Sequence, residues 1–227
     1  MHIPDGFLDP KTWGTLYGAS GGMVGYALYK VRKLDEKKIP LLGITAAFIF
    51  AAQLLNFPIA GGTSGHFLGA LLACVLLGPF EGFLVMVVVL AVQCLVFADG
   101  GFAALGANVF NMGIIAGIAS YYMMMGMKSV LARRVGEKKA LLSSTAVFSW
   151  LSVVLAATCC AIELAVSGTI PLTISLPAMV SVYMIIGVGE AVITVVVLAA
   201  VLQARPDLVS SYKGTRVTAG AVAEEAA

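Results

Sequence analysis

Polar and charged residues interrupt this chain at widely spaced points, and the apolar stretches between them are too long for the core of a soluble domain. Spanning a bilayer takes about 20 residues of helix, or about 17 at the short end. Stretches of this kind lie at roughly 13–31, 39–57, 63–78, 80–98, 105–127, 141–166 and 175–203. They predict an all-α integral membrane protein with seven transmembrane helices. The third, at about 16 residues, is short for a span, so one of its ends is expected below the membrane surface. After residue 204 the chain turns polar and rich in Ala and Gly, with Glu224-Glu225 near its end. That composition predicts a transmembrane domain, 1–204, followed by a flexible cytoplasmic tail, 205–227.

Composition supports the membrane reading. The chain is 60% hydrophobic and 11% charged, with a mean hydropathy of +0.98, against about 25% charged residues in soluble domains. The net charge of +2 carries no nucleic-acid signal, because the basic residues fall between spans. Their placement sets the orientation instead. Lys30, Arg32, Lys33, Lys37 and Lys38 separate spans 1 and 2, and Lys128, Arg133, Arg134, Lys138 and Lys139 separate spans 5 and 6. Arg205, Lys213 and Arg216 follow span 7, leaving only Lys11 elsewhere. Basic loops stay in the cytoplasm, so the N-terminus is expected outside and the C-terminus inside. No cleavable signal peptide is expected, since the start is acidic and lacks a basic n-region.

The candidate chemistry sits at the start of the chain, in Met1-His2-Ile3-Pro4-Asp5-Gly6. The protein has two histidines, His2 and His66. A free α-amine, the amide nitrogen of residue 2 and the imidazole of His2 can close two fused chelate rings around one ion. A second imidazole would supply a fourth nitrogen. Planar nitrogen coordination suits Ni(II) or Cu(II) better than Zn(II), Mg(II) or Ca(II). By the predicted topology His66, which ends Gly61-Gly62-Thr63-Ser64-Gly65-His66, lies on the same outer face as His2.

Gln53, Asn56, Gln93, Asn108 and Asn111 lie toward the outer ends of their spans. Asn108 and Asn111, three apart, are expected to share a helix face. Such amides either orient a ligating imidazole or join helices by hydrogen bonds. Thr63 or Ser64 is a candidate cap for span 3. The stripe Gly14, Gly18 and Gly22, with Gly21 and Gly25 beside it, is expected to pack within the bundle, as small residues do between membrane helices. Ala47 and Ala51 form a weaker version. Glu190 falls near mid-membrane and needs a partner; Glu163 lies nearer an outer end. Away from Glu190 the inner halves of the spans read as apolar. Cys74, Cys94, Cys159 and Cys160 all lie in apolar stretches and read as buried thiols. There is no phosphate loop, H-E-x-x-H or serine-nucleophile pattern, so no enzyme is expected.

Five motifs then carry a resemblance. M-H-I-P-D-G-F-L at the start, N-F-P-I-A-G-G-T-S-G-H at 56–66, L-G-P at 77–79, D-G-G at 99–101 and G-A-N-V-F-N-M-G at 106–113 are similar to the CbiM/NikM family. Those proteins are the substrate-binding membrane (S) components of energy-coupling-factor (ECF) uptake systems for cobalt and nickel. The resemblance covers residues 1 to about 200. It implies an N-terminal segment inserted toward the bundle centre and a metal, Ni(II) or Co(II), held by Met1, His2 and His66. Thr63, Ser64, Asn108 and Asn111 are the candidate supporting residues. It also implies a transmembrane coupling (T) subunit, cytoplasmic ATPase subunits and a small accessory membrane subunit, here expected as a separate chain. The ion would be cargo rather than a catalytic cofactor, and the protein would sit in a prokaryotic plasma membrane. The shared motifs do not separate cobalt from nickel; intrinsic affinity leans to Ni(II). Competing readings are a stand-alone permease driven by an ion gradient, an intramembrane metalloenzyme and a structural subunit.

Overall fold

Proline and glycine set where the helices of this protein start and turn. The computed structural model describes residues 1–32 and 38–212. Helix α1 (Pro10–Val31) begins at a proline, with the Asp9 carboxylate accepting from the Lys11 and Thr12 amides at 2.9 and 3.3 Å. Helices α2 (Ile39–Gln53) and α4 (Pro79–Phe97) also carry proline in their first turn, where the missing N–H costs nothing and the fixed φ suits a helix. Helix α3 spans Ala70–Leu77, α5 Leu105–Val135, α6 Glu137–Val166 and α7 Leu172–Ala204. Together they make seven helical segments. Helices α4 to α7 are long and apolar enough to cross a membrane, whereas α2 has 15 residues.

The third predicted span is different. Only 8 of its residues are helical, about 12 Å of rise against about 30 Å of hydrocarbon. Residues 63–69 instead form the strand β2 (Ser64–Gly65), paired with β1 (Phe57–Pro58), and a loop that enters the bundle. Every residue of α3 is buried. Hydropathy registers apolar burial, and protein around α3 produces the same signal as lipid around a span. Helix α3 turns directly into α4 at Gly78, whose φ of +113° favours glycine. The two helices then pack so closely that a Cβ on Gly82 would lie 2.5 Å from the Cys74 nitrogen.

The glycine stripe of α1 also departs from expectation. Gly14, Gly18, Gly21, Gly22 and Gly25 all face open space. Helix α1 packs on α4 and α5 with its other face, and the Ser20 hydroxyl donates to the Gly106 carbonyl at 2.7 Å. Spacing identified the stripe; it could not say which way the stripe points. Ala47 and Ala51 on α2 are exposed as well.

The inner halves of the spans are less apolar than the sequence suggested. Helix α6 buries Ser144, Thr145, Ser149 and Ser152, and α7 buries Thr194. Apart from Ser152, these hydroxyls have no hydrogen-bond partner. Beyond α7 the chain folds back through a 3₁₀ turn at Pro206–Leu208. Ser210 and Ser211 donate backbone N–H groups to Leu76 and Val75 at 2.9 and 3.3 Å, satisfying the last carbonyls of α3. Buried Lys128 donates to the Ser211 carbonyl and pairs with Glu137 at 2.6 Å. The folded body therefore continues to residue 212. Lys33, Lys37 and the part of the predicted 205–227 tail from Lys213 onward, with Arg216 and Glu224-Glu225, lie outside the described residues.

Candidate metal centre

At the opposite end of the bundle, the first three residues fold into the protein, while Pro4, Asp5 and Gly6 stay exposed. Met1 and Ile3 are fully buried and His2 is 5% exposed. Main-chain bonds pin the segment. The Ile3 amide donates to Asn108 Oδ1 at 2.8 Å, and the Ile3 carbonyl accepts from Asn108 Nδ2 and from the Gly101 amide at 3.3 and 2.8 Å. The Asp5 carboxylate accepts from the Phe102 and Ala103 amides at 3.0 and 2.7 Å. Gly101 permits this approach. A Cβ there would lie 2.2 Å from the Asp5 nitrogen, so Gly101→Ala is expected to displace the segment. Faster proteolysis or amide exchange at residues 1–6 checks this; unchanged protection would mean that the loop absorbs the methyl group.

The second arm comes from the β hairpin, which reverses the chain and leads it back inward. Phe57 pairs with Gly65 and Pro58 with Ser64. Ser64 meets the N-terminus: the Met1 amine donates to the Ser64 carbonyl and, at 2.8 Å, to Ser64 Oγ, which also accepts from the His2 amide at 3.1 Å. Tyr183 on α7 donates to the same Ser64 carbonyl at 2.9 Å.

This juxtaposition stacks the two imidazoles. The rings of His2 and His66 are 4.6 Å apart between centroids and inclined by 19°. His66 Nδ1 lies 2.7 Å from the Phe67 carbonyl, so it carries the proton and Nε2 keeps its lone pair. That buried Nε2 has no partner. With Gln93 Oε1 accepting from His2 Nε2 at 3.2 Å, His2 Nδ1 is likewise without a hydrogen bond, 3.4 Å from Asp99 Oδ1. An unprotonated nitrogen facing a carboxylate oxygen at that distance suits a cation. The described residues contain no group of three or more His, Cys, Asp or Glu side chains placed to hold a metal.

Burial holds these nitrogens neutral. It lowers the Met1 amine from 8.0 to about 4 and His2 from 6.5 to about 3, with the nearby amine charge lowering His2 further and Gln93 opposing. Between pH 4 and 8, a withdrawn N-terminal segment binds protons that the inserted one does not. Insertion is thus strongest above pH 8 and weakens progressively as pH falls toward 3, by up to about 1.4 kcal/mol per proton per pH unit. Acylation of the Met1 amine reads this out. Corrected for the reagent's own pH dependence, protection should decline below pH 8; a flat profile would contradict it.

The supporting residues expected from sequence separate. Ser64 touches the N-terminus and Asn108 grips Ile3, whereas Asn111 donates to Glu163 on α6 at 2.7 Å. The two asparagines do not act together because α5 is π-helical from Val109 to Ala119, which breaks the i,i+3 register of an α-helix. Thr63 donates its amide to Met179 Sδ at 3.5 Å and its hydroxyl lies 3.9 Å from Cys160 Sγ. Neither Thr63 nor Ser64 caps α3. No side chain caps that helix; Glu190 accepts from the Leu68 and Gly69 amides just before it, at 2.8 and 2.7 Å. Sequence reasoning missed Asp5, Asp99 and Tyr183 as individual contributors; the motifs around Asp5 and Asp99 were the available signal. Asn56 braces Asp99, donating to Oδ2 at 3.0 Å.

Long apolar helices around a self-inserted N-terminus define a multi-pass membrane protein. Residues 2–208 match the family CbiM, the cobalt uptake substrate-specific transmembrane region, and the chain belongs to that family. It is 43% identical, over 92% of its length and 68% of the relative's, to a protein of Archaeoglobus fulgidus provisionally named a fused nickel transport protein, NikMN. It is also 36% identical to a cobalt transport protein, CbiM, of Clostridium tetani, over 57% of this chain and 55% of that one. A solved structure described as a transition metal transporter superposes with a TM-score of 0.81 at 33% identity, covering 90% of this chain and 93% of that one.

Proposed function

We propose that this protein is the substrate-capture subunit of an ECF-type importer for Ni(II) or Co(II). The ion sits in a plane of four nitrogens: the Met1 amine, the His2 amide, His2 Nδ1 and His66 Nε2. The observation that carries the reading is the stacked pair of imidazoles, each with an unpartnered nitrogen, beside a buried neutral amine. Coordination through the His2 amide requires loss of its proton, and Ser64 Oγ, already its acceptor, lies on the path that proton takes.

The placement of Lys and Arg supports an outer N-terminus and a cytoplasmic C-terminus in a prokaryotic plasma membrane. Movement of the ion then depends on partners: a transmembrane coupling subunit, cytoplasmic ATPases and a small accessory membrane subunit. The nickel and cobalt transport names of the relatives support the cargo class, and intrinsic affinity favours Ni(II). Metal content and competitive affinity of protein with a free Met1, beside His66→Ala, test the proposal. Stoichiometric nickel or cobalt in the wild type, bound markedly more weakly in the variant, is expected. Equal, weak metal content in both would overturn it.

A further inference from the structure

We infer that Glu190 is a positioning residue for the metal site, holding the His66 loop from helix α7; this rests on the reading of His66 as a ligand. Glu190 is 1% exposed and lies among lipid-spanning residues of α7. Its two oxygens are divided between two backbone donors, Oε2 with the Leu68 amide at 2.8 Å and Oε1 with the Gly69 amide at 2.7 Å. This is the pattern of an acceptor-only carboxylate.

The loop it holds is the one that carries His66. The His66 ring is oriented by its own bond to the Phe67 carbonyl, and the next two residues are the ones anchored by Glu190. Gln53 on α2 ties the same loop from the other side, donating to the Leu68 carbonyl at 2.6 Å. Farther up α7, the Tyr183 hydroxyl donates to the Ser64 carbonyl at 2.9 Å. One face of α7 therefore grips the segment on both sides of His66.

The grip adds to packing, since His66 is 1% exposed and its ring is stacked on His2 but open on another side. His66 and Glu190 line a cleft of about 170 Å³, together with Phe57, Phe67, Ile186 and Ile193. A ring beside open volume is not wedged by neighbours on that side, so its aim depends on the loop's hydrogen bonds. Groups that orient a ligating imidazole are commonly worth a factor of roughly 10 to 100 in metal affinity. A glutamine at 190 would keep one acceptor but turn its amide N–H₂ toward a backbone donor, orphaning one end of the clamp.

Nickel affinity of the full chain in detergent, measured for wild type, Glu190→Gln, His66→Ala and the double variant, tests the inference. Glu190→Gln is expected to weaken binding roughly 10- to 100-fold and to move the visible Ni(II) absorption toward that of His66→Ala. On the His66→Ala background the same change should have no further effect, because Glu190 acts only through that ligand. If the Gln variant is recovered only as aggregate, Glu190→Asp, with both acceptors but one methylene short, carries the same comparison. Affinity within twofold of wild type, or an equal loss with and without His66, would overturn the role of Glu190. Wild-type affinity in His66→Ala would instead overturn the ligand reading on which it rests.

Discussion

A single residue added before Met1 abolishes tight nickel or cobalt binding. The added peptide bond converts the Met1 amine, a neutral donor, into an amide nitrogen that coordinates only after losing its proton, and it moves the free amine one residue away from the His2 nitrogen. Space works in the same direction. Met1 is fully buried, and its amine is bonded to both Ser64 O and Ser64 Oγ, so the extra residue has no room beside the hairpin. A four-ligand zinc site is worth about 10–16 kcal/mol, so a lost ligand costs about 3 kcal/mol, roughly a hundredfold in affinity. The extension also displaces the amide, so at least that loss is expected. Calorimetry on extended and unextended protein, with the N-terminus verified by mass spectrometry, decides it. Tight binding by the extended form would refute the chelate.

The second large effect is an order of severity: His2→Ala is expected to cost more than His66→Ala. The His2 imidazole closes a chelate ring with its own amide, and removing it also removes the assistance that drives amide deprotonation. His66 contributes one nitrogen from a separate loop, and water can enter its place. His2→Ala should therefore lose binding of both metals, by at least roughly a hundredfold, while His66→Ala retains a weaker complex with an altered absorption spectrum. If His66→Ala proves the more damaging of the two, the N-terminal segment is not the principal chelator.

How much of this was legible in the sequence varies with the range of the interaction. The fused chelate proposed for Met1 and His2 is local, because the donors are neighbours along the chain and covalent geometry brings them together. The role of Ser64 could be read only as proximity within T-S-G-H; its bonds to the Met1 amine and His2 amide exist because a hairpin reverses the chain at Gly61-Gly62. Asn108 and Asn111 were paired on helical spacing, and a π-helical stretch separated them. Glu190 was visible as a carboxylate in need of a partner, yet its partners are backbone amides of Leu68 and Gly69, which have no side-chain signature in any sequence.

The amino-acid sequence by itself determined the membrane class, the family and the His2 and His66 candidates. Those properties reside in long apolar runs and contiguous motifs, and they survive without knowledge of the fold. The tertiary structure decided that the third apolar run is a short buried helix fed by a loop, that the α1 glycines face outward and that the two imidazoles stack. Each depends on which surfaces meet across long separations, and periodicity along the chain records a face without recording what covers it.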